Sequence, residues 1–333
     1  MDIHHGGRAA AGLGVLGALG VLALGLFLAG PAAAGGYRTP RTWFGAPDLQ
    51  GTWSNASMTR LTRPPEAKVL VVGEAEAAAL EAAIAARRAH PADDALGQTE
   101  SEWRDQGKFA RLQGQVRTSW IVSPENGQLP YSAAGKALMA RWSADQPSDG
   151  PEQRPPSERC LMAAWGAAGP PILNPAYADG YQIVQTREAV VIVSEVNHEV
   201  RIVRLGGGHL PADVRQWGGD SVGHWEGETL VVETRGFHLE EVYRQPIFVM
   251  SPDAKVTERF TRVAKGELKY AFSVEDPAVF SQVWRAEMPF VASTTPLYEY
   301  ACHEGNYSMA NMLGGARREE ADAAAAKAAG PGR

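Results

Sequence analysis

A chain of 333 residues, 44% hydrophobic and 21% charged, has the composition of a globular protein and excludes a disordered or fibrous one. Thirty-two basic against 38 acidic side chains leave a net charge of -6, which argues against nucleic acid or an anionic membrane surface as partner. The 36 glycines, 22 prolines and nine tryptophans imply many turns and a sizeable core.

The N-terminus reads as an address. Arg8 precedes an apolar run from Ala9 to Gly30, and Pro31-Ala32-Ala33-Ala34 closes it. A basic start, an apolar middle and a small-residue ending are the parts of a signal peptide, so cleavage after Ala34 is expected. The competing reading is a retained membrane anchor, which the glycines within the run disfavour. A periplasmic or secreted protein, free of the membrane after cleavage, follows from this. Export then favours pairing of the two cysteines, and Cys160 with Cys302 is the one disulfide available. The alternative, a nucleophilic Cys302 activated by His303, is disfavoured because adjacent strand residues face opposite ways.

From Tyr37 to Pro65 the chain is turn-rich, with one strand-like unit at Gly51-Thr52-Trp53-Ser54. Glu74 to Ala89 is nearly all Ala, Glu and Arg and predicts an exposed helix. Ser132 is a suitable N-cap for a helix reaching Ala144, with Leu138, Met139 and Trp142 at helical spacing. After Tyr177 the pattern turns to strands. Val190 to Glu195 and Val200 to Leu205 flank an Asn197-His198 tip; Ser221 to Trp225 and Thr229 to Thr234 flank Glu226-Gly227; Val256 to Val263 and Leu268 to Val274 flank Lys265-Gly266. Phe280 to Phe290 predicts another strand and Leu297 to Glu304 a last one. Consecutive hairpins without alternating helices exclude a doubly wound fold. The expectation is a mainly β protein, an antiparallel meander closing into a lipocalin-like barrel or pairing as a sandwich. Its single domain spans 35–312, with a helical and irregular insertion at 55–175 and strands over 177–305; a short helix beyond Asn306 runs into an Ala-rich, disordered tail at 313–333.

The chemistry concentrates at strand ends and tips. His198 and His303 are the expected acid/base groups, because histidine exchanges protons near neutral pH. Glu195 and Glu304 would orient them. Asp220 and His224, four apart, share one face of a strand and form a second candidate pair beside Trp225; the alternative, slightly favoured for Asp220, is a cap on the Gly218-Gly219 turn with His224 at the surface. Arg201, Trp225 and Tyr298 are the expected substrate-binding residues. Arg201 and Arg204 sit in an apolar strand and need a carboxylate if buried, with Glu195 or Glu233 available. His198, His224 and His303 with Glu304 leave a divalent-metal site open as an alternative, although Tyr307 stands where a helical zinc motif needs its second histidine. Gly219-Asp220-Ser221 lacks the partners of an activated serine. Gly206-Gly207-Gly208 precedes no helix, so no organic cofactor is predicted. Most of Trp43, Trp53, Trp217, Trp225 and Trp284 are expected in the core.

Several strings are distinctive together: Pro47 to Trp53, Tyr181 to Thr186, Asn197 to Ile202, Gly219 to Thr234, Val256 to Phe260 and Tyr298 to Tyr307. Their combination resembles a large group of exported bacterial proteins of unknown function that share the Trp-Glu-Gly-[Asp/Glu]-Thr-Leu-Val-Val block. The resemblance implies export and one shared β domain, and it implies no catalytic residues. The expected function is therefore acid/base chemistry, as an isomerase, lyase or hydrolase, on a small, partly apolar molecule in a barrel pocket. A carrier of a small apolar ligand and an interaction module using the 55–175 insertion are the alternatives.

Overall fold

The computed structural model describes residues 37–88, 107–144, 148–163, 166–174, 179–239 and 248–329. The expected signal segment, residues 89–106 of the insertion, the side chain of Trp142 and the boundary at Tyr177 lie outside them.

Alternating burial builds the strands. In β12 (Glu267–Glu275) Leu268, Tyr270, Phe272 and Val274 point inward and the residues between them outward, the period of two that a half-buried strand requires. The same pleat runs through β6 (Gly180–Gln185), β7 (Ala189–Ser194), β8 (Val200–Leu205), β9 (Asp220–Glu226), β10 (Thr229–Arg235), β11 (Lys255–Ala264) and β13 (Trp284–Ala292). Each strand bonds its neighbour in this order, and β1 (Gly51–Ser54) closes the circle between β6 and β13. The product is a closed nine-stranded barrel, which leaves no open sandwich edge.

One step departs from a pure meander. β8 and β9 run parallel, with Arg204 opposite Val222 and Leu205 opposite Gly223. Residues 206–219 carry the chain back between them, and a parallel pair needs a return of about this length. The three expected hairpins form as read. At the first tip Asn197 and His198 both take positive φ, 61° and 40°, the left-handed twist that a tight hairpin demands.

The insertion builds a smaller unit. β2 (Val71–Val72), β3 (Arg111–Leu112) and β4 (Gln115–Arg117) form a three-stranded sheet. Helix α1 (Glu74–Arg88) shares a core with it through Ala77, Ile84, Val72, Phe109 and Val116. β5 (Ile121–Ser123) then joins the barrel along β13. Helix α2 (Ala133–Ala144) starts where expected, with the Ser132 hydroxyl accepting the Gly135 N–H at 3.0 Å.

Two expectations on the C-terminal side are corrected. Leu297 to Glu304 is not a strand but an irregular segment with turns. The outer edge of β13 is already taken by β1 and β5, so no ladder was left for it. Beyond it the helix expected after Asn306 is longer than read: Ser308–Ala329 is a single helix, α3, that takes in most of the tail expected to be disordered. Alanine is the best helix former, and the Arg317–Glu320 and Arg318–Asp322 pairs add support at helical spacing.

The barrel interior is packed with side chains. Tyr181, Phe260, Leu268, Tyr270, Trp284 and Phe290 are each at most 1% exposed. Residues 166–174 contribute Ile172 and Leu173 to the same core. The Ile172 N–H donates to Tyr270 Oη at 2.8 Å, and Tyr181 Oη donates to the Ala167 carbonyl at 2.8 Å. Those bonds allow a polar backbone to sit in an aromatic interior. Trp53 and Trp284 are core as expected, whereas Trp43 is 81% exposed with Arg187 stacked over its ring.

Candidate acid–base site

The fold separates the sequence candidates into three places. The first is the β7–β8 tip. Cys160 and Cys302 are disulfide-bonded across 142 residues of sequence, so neither is a free nucleophile. The tip holds both of the linked segments. Asn197 Nδ2 donates to the Cys160 carbonyl at 3.3 Å, and Glu199 accepts the Ala163 N–H at 2.8 Å. His198 Nδ1–H donates to the Tyr300 carbonyl at 3.0 Å. Glu195 accepts the Tyr298 N–H, while burial, and secondarily the charge of Asp179, push its carboxyl above the ordinary range. Glu195 and His198 thus fasten the cross-linked segments to the barrel. Tyr298, His303 and Glu304 are exposed beside the link.

The second place is the barrel interior. Arg201 points inward, as its odd position beside buried Val203 requires. Its partner is neither Glu195 nor Glu233 but Glu258 on β11, held by two bonds of 2.7 and 3.0 Å. Tyr270 Oη donates to the same carboxylate at 2.7 Å. Glu258 is 0% exposed and Arg201 8%, so this arginine is engaged within the core and not offered to a substrate. Burial, then the charge of Glu258, drive the Tyr270 hydroxyl well above its ordinary range. Trp225 also packs against the interior, on the side of β9 opposite Asp220. Ser221 Oγ is there too, bonded to Thr234 Oγ1 at 2.8 Å, away from any histidine partner.

The third place is the outer wall over β8, β9 and β10, and it combines the groups needed for proton transfer. Asp220 opens β9 with its carboxylate nearly buried, its side chain 8% exposed. Arg204 Nη2 reaches both oxygens, at 2.7 and 2.9 Å, and the Leu210 N–H donates at 2.9 Å. His209 Nδ1 lies 2.9 Å from Oδ2. On the other side of the ring, Nε2 lies 3.2 Å from Glu233 Oε1, which also pairs with Arg235 Nε at 2.7 Å. Burial alone would raise the Asp220 carboxyl. The Leu210 N–H, His209 and Arg204 outweigh it and hold the group below the ordinary aspartate range.

The local sequence explains how His209 arrives there. Gly206 and Gly207 take φ of +81° and +80°, a left-handed pair that β-carbons disfavour, and so turn the chain back after β8. Asp220 fixes the imidazole through Nδ1–H, and Nε2 faces a carboxylate and solvent. This is the arrangement in which a histidine can exchange a proton through Nε2 while its orientation is held. An imidazolium satisfies both carboxylates at once, and the neutral ring with Nδ1–H satisfies Asp220 alone.

The histidine that meets Asp220 is His209 and not His224, the one that strand spacing offers. His224 does lie on the same outer face, but four residues along a strand is about 13 Å. It is 63% exposed and bonded to Glu226 at 3.2 Å. His209 was missed because a histidine after three glycines has no periodicity to reveal it. His198, His224 and His303 do not converge, and among the described residues no group of three or more His, Cys, Asp or Glu is arranged to hold a metal ion. No helix among them is long and apolar enough to cross a membrane. No protein-family model and no curated protein matches the chain.

Proposed function

We propose that this protein is an exported acid–base enzyme whose proton-transferring group is His209 on the outer wall of the barrel. The observation that carries the reading is an imidazole, 26% exposed, held at Nδ1 by a nearly buried aspartate, itself fixed by three donor groups. Asp220 orients the ring, Arg204 holds Asp220, and Glu233 with Arg235 faces Nε2. One such histidine suits isomerisation, elimination or hydrolysis of a small molecule. The packed interior turns the expected reaction place from the lumen to the wall, and it likewise weighs against a lumenal carrier. Export is supported by the leader-like N-terminus, the resemblance to exported bacterial proteins and the disulfide.

The test is a turnover screen of the mature protein against ester, enolisable ketone and β-elimination substrates. His209→Asn is expected to lower any turnover by about 10²–10⁴-fold, the usual contribution of a positioned acid or base. His224→Asn, on the same wall but clear of the cluster, should retain it. Turnover that survives His209→Asn refutes the assignment.

A further inference from the structure

The wall beside His209 carries an unusual surface. Outward residues of β6, β7 and β8 pair across the strands as Val184 with Val191 and Val191 with Ile202. One repeat further on, Val193 faces Val200. Val184, Val200 and Ile202 are 40%, 55% and 58% exposed, and Val191 and Val193 are half-buried. The solvated side of an antiparallel sheet ordinarily takes polar residues, so five adjoining aliphatic side chains there call for a reason. Val222 continues the surface, because it lies opposite Arg204 on one side and Glu233 on the other. Asp220 is opposite Arg235. With strands about 4.8 Å apart, the aliphatic part spans roughly 10 Å from β6 to β8 and the polar part another roughly 10 Å from β8 to β10.

Glu233 gives an independent indication of what the polar part takes. Its carboxylate rests on two donors, His209 Nε2 and Arg235 Nε, with its side chain 35% exposed, whereas Asp220 is held by three donor groups and nearly buried. A carboxylate from solution would find Arg235 Nε if Glu233 swung outward, with Arg204 alongside and His209 Nε2 freed for the reacting atom. We propose, resting on the assignment of His209 above, that the substrates are carboxylates with an aliphatic body. The carboxylate replaces that of Glu233 against Arg235, which leaves His209 Nε2 to the chain atoms beside the carboxylate, and the body lies across Ile202, Val191 and Val184.

Sodium octanoate and sodium acetate, titrated separately into the mature protein and followed by NMR shifts, test this. Octanoate is expected to bind saturably and at least tenfold more tightly than acetate. A Val191→Thr/Ile202→Thr double variant keeps β-branched shape and should narrow that difference to within about threefold. Arg235→Gln should weaken both probes. Octanoate that binds no better than acetate, or binds equally well to the variants, overturns the proposal. His209-dependent turnover of uncharged substrates without octanoate binding overturns it too, while leaving the acid–base assignment standing. Octanoate binding with these dependences but without His209-dependent turnover supports the site and refutes that assignment instead.

Discussion

Replacing Glu258 with glutamine would test the buried ion pair at the centre of the barrel. The side chain keeps its shape, so no cavity opens. What changes is that the Arg201 guanidinium, 8% exposed, loses its counter-charge while keeping its own. One of the two Arg201 bonds is lost, because the new amide NH₂ faces the guanidinium in either orientation, and in one of them it also faces the Tyr270 hydroxyl, which already donates. Leaving one buried charge uncompensated costs about 3–5 kcal/mol. For a domain of this size each kcal/mol moves the melting midpoint by roughly 2–4 °C, so a fall on the order of 10 °C is expected. Urea unfolding should show a lower midpoint with an unchanged slope. The double variant Arg201→Met/Glu258→Leu removes both charges and should recover most of the loss, because a buried pair replaced by apolar groups is often neutral or better. A Glu258→Gln loss under about 1 kcal/mol, or a double variant worse than the single, would refute the reasoning.

The disulfide and the wall yield further expectations. Cys160→Ser/Cys302→Ser frees a loop closed across 142 residues, and urea unfolding should show a loss of about 3–5 kcal/mol; an unchanged midpoint would mean the link does not constrain the unfolded chain. Gly219→Ala would place a β-carbon 2.7 Å from Thr234 Cγ2 and 2.9 Å from the Arg235 carbonyl at a φ of +70°, so a cost of about 1–3 kcal/mol is expected. Gly206→Ala meets nothing within 4 Å and bears the left-handed strain alone, about 1 kcal/mol, so thermal melts should rank the two in that order. The Asp220 carboxyl is held below its ordinary value in the folded state. Its contribution is therefore complete above the unfolded pKa of about 3.9 and is lost as pH falls through the folded value. Asp220→Asn should flatten the decline of stability on that acid side, and a decline as steep as in the wild type would count against it.

Much of the barrel is legible along the chain because its strands are local in character. Leu268, Tyr270, Phe272 and Val274 alternate with polar residues, and Asn197-His198, Glu226-Gly227 and Lys265-Gly266 announce the turns. The disulfide needed only a count of two cysteines and the export that the N-terminal segment leads one to expect. The segment Leu297 to Glu304 misled because strand propensity says nothing about whether an edge remains free to pair. The Ala-rich end departs in the other direction: low complexity suggests disorder past a short helix, whereas alanine's helix preference carries α3 to Ala329. For the candidate site, Asp220, Glu195 and His198 are legible as polar groups at strand ends and tips, yet the contacts they make are not. Glu195 and His198 turned out to hold backbone groups of the cross-linked segments, which no strand pattern encodes.

The sequence by itself determined the pleat, the hairpins, the cysteine pair and the face on which Asp220 lies, because each depends on residues near one another or on a count. The tertiary structure alone decided that β8 and β9 run parallel, that Arg201 meets Glu258 across the barrel, and that His209 rather than His224 reaches Asp220. Those outcomes depend on where barrel closure and a glycine turn place groups distant in sequence. Side-chain chemistry offered Arg201 several carboxylates and Asp220 several histidines, and geometry alone selected among them.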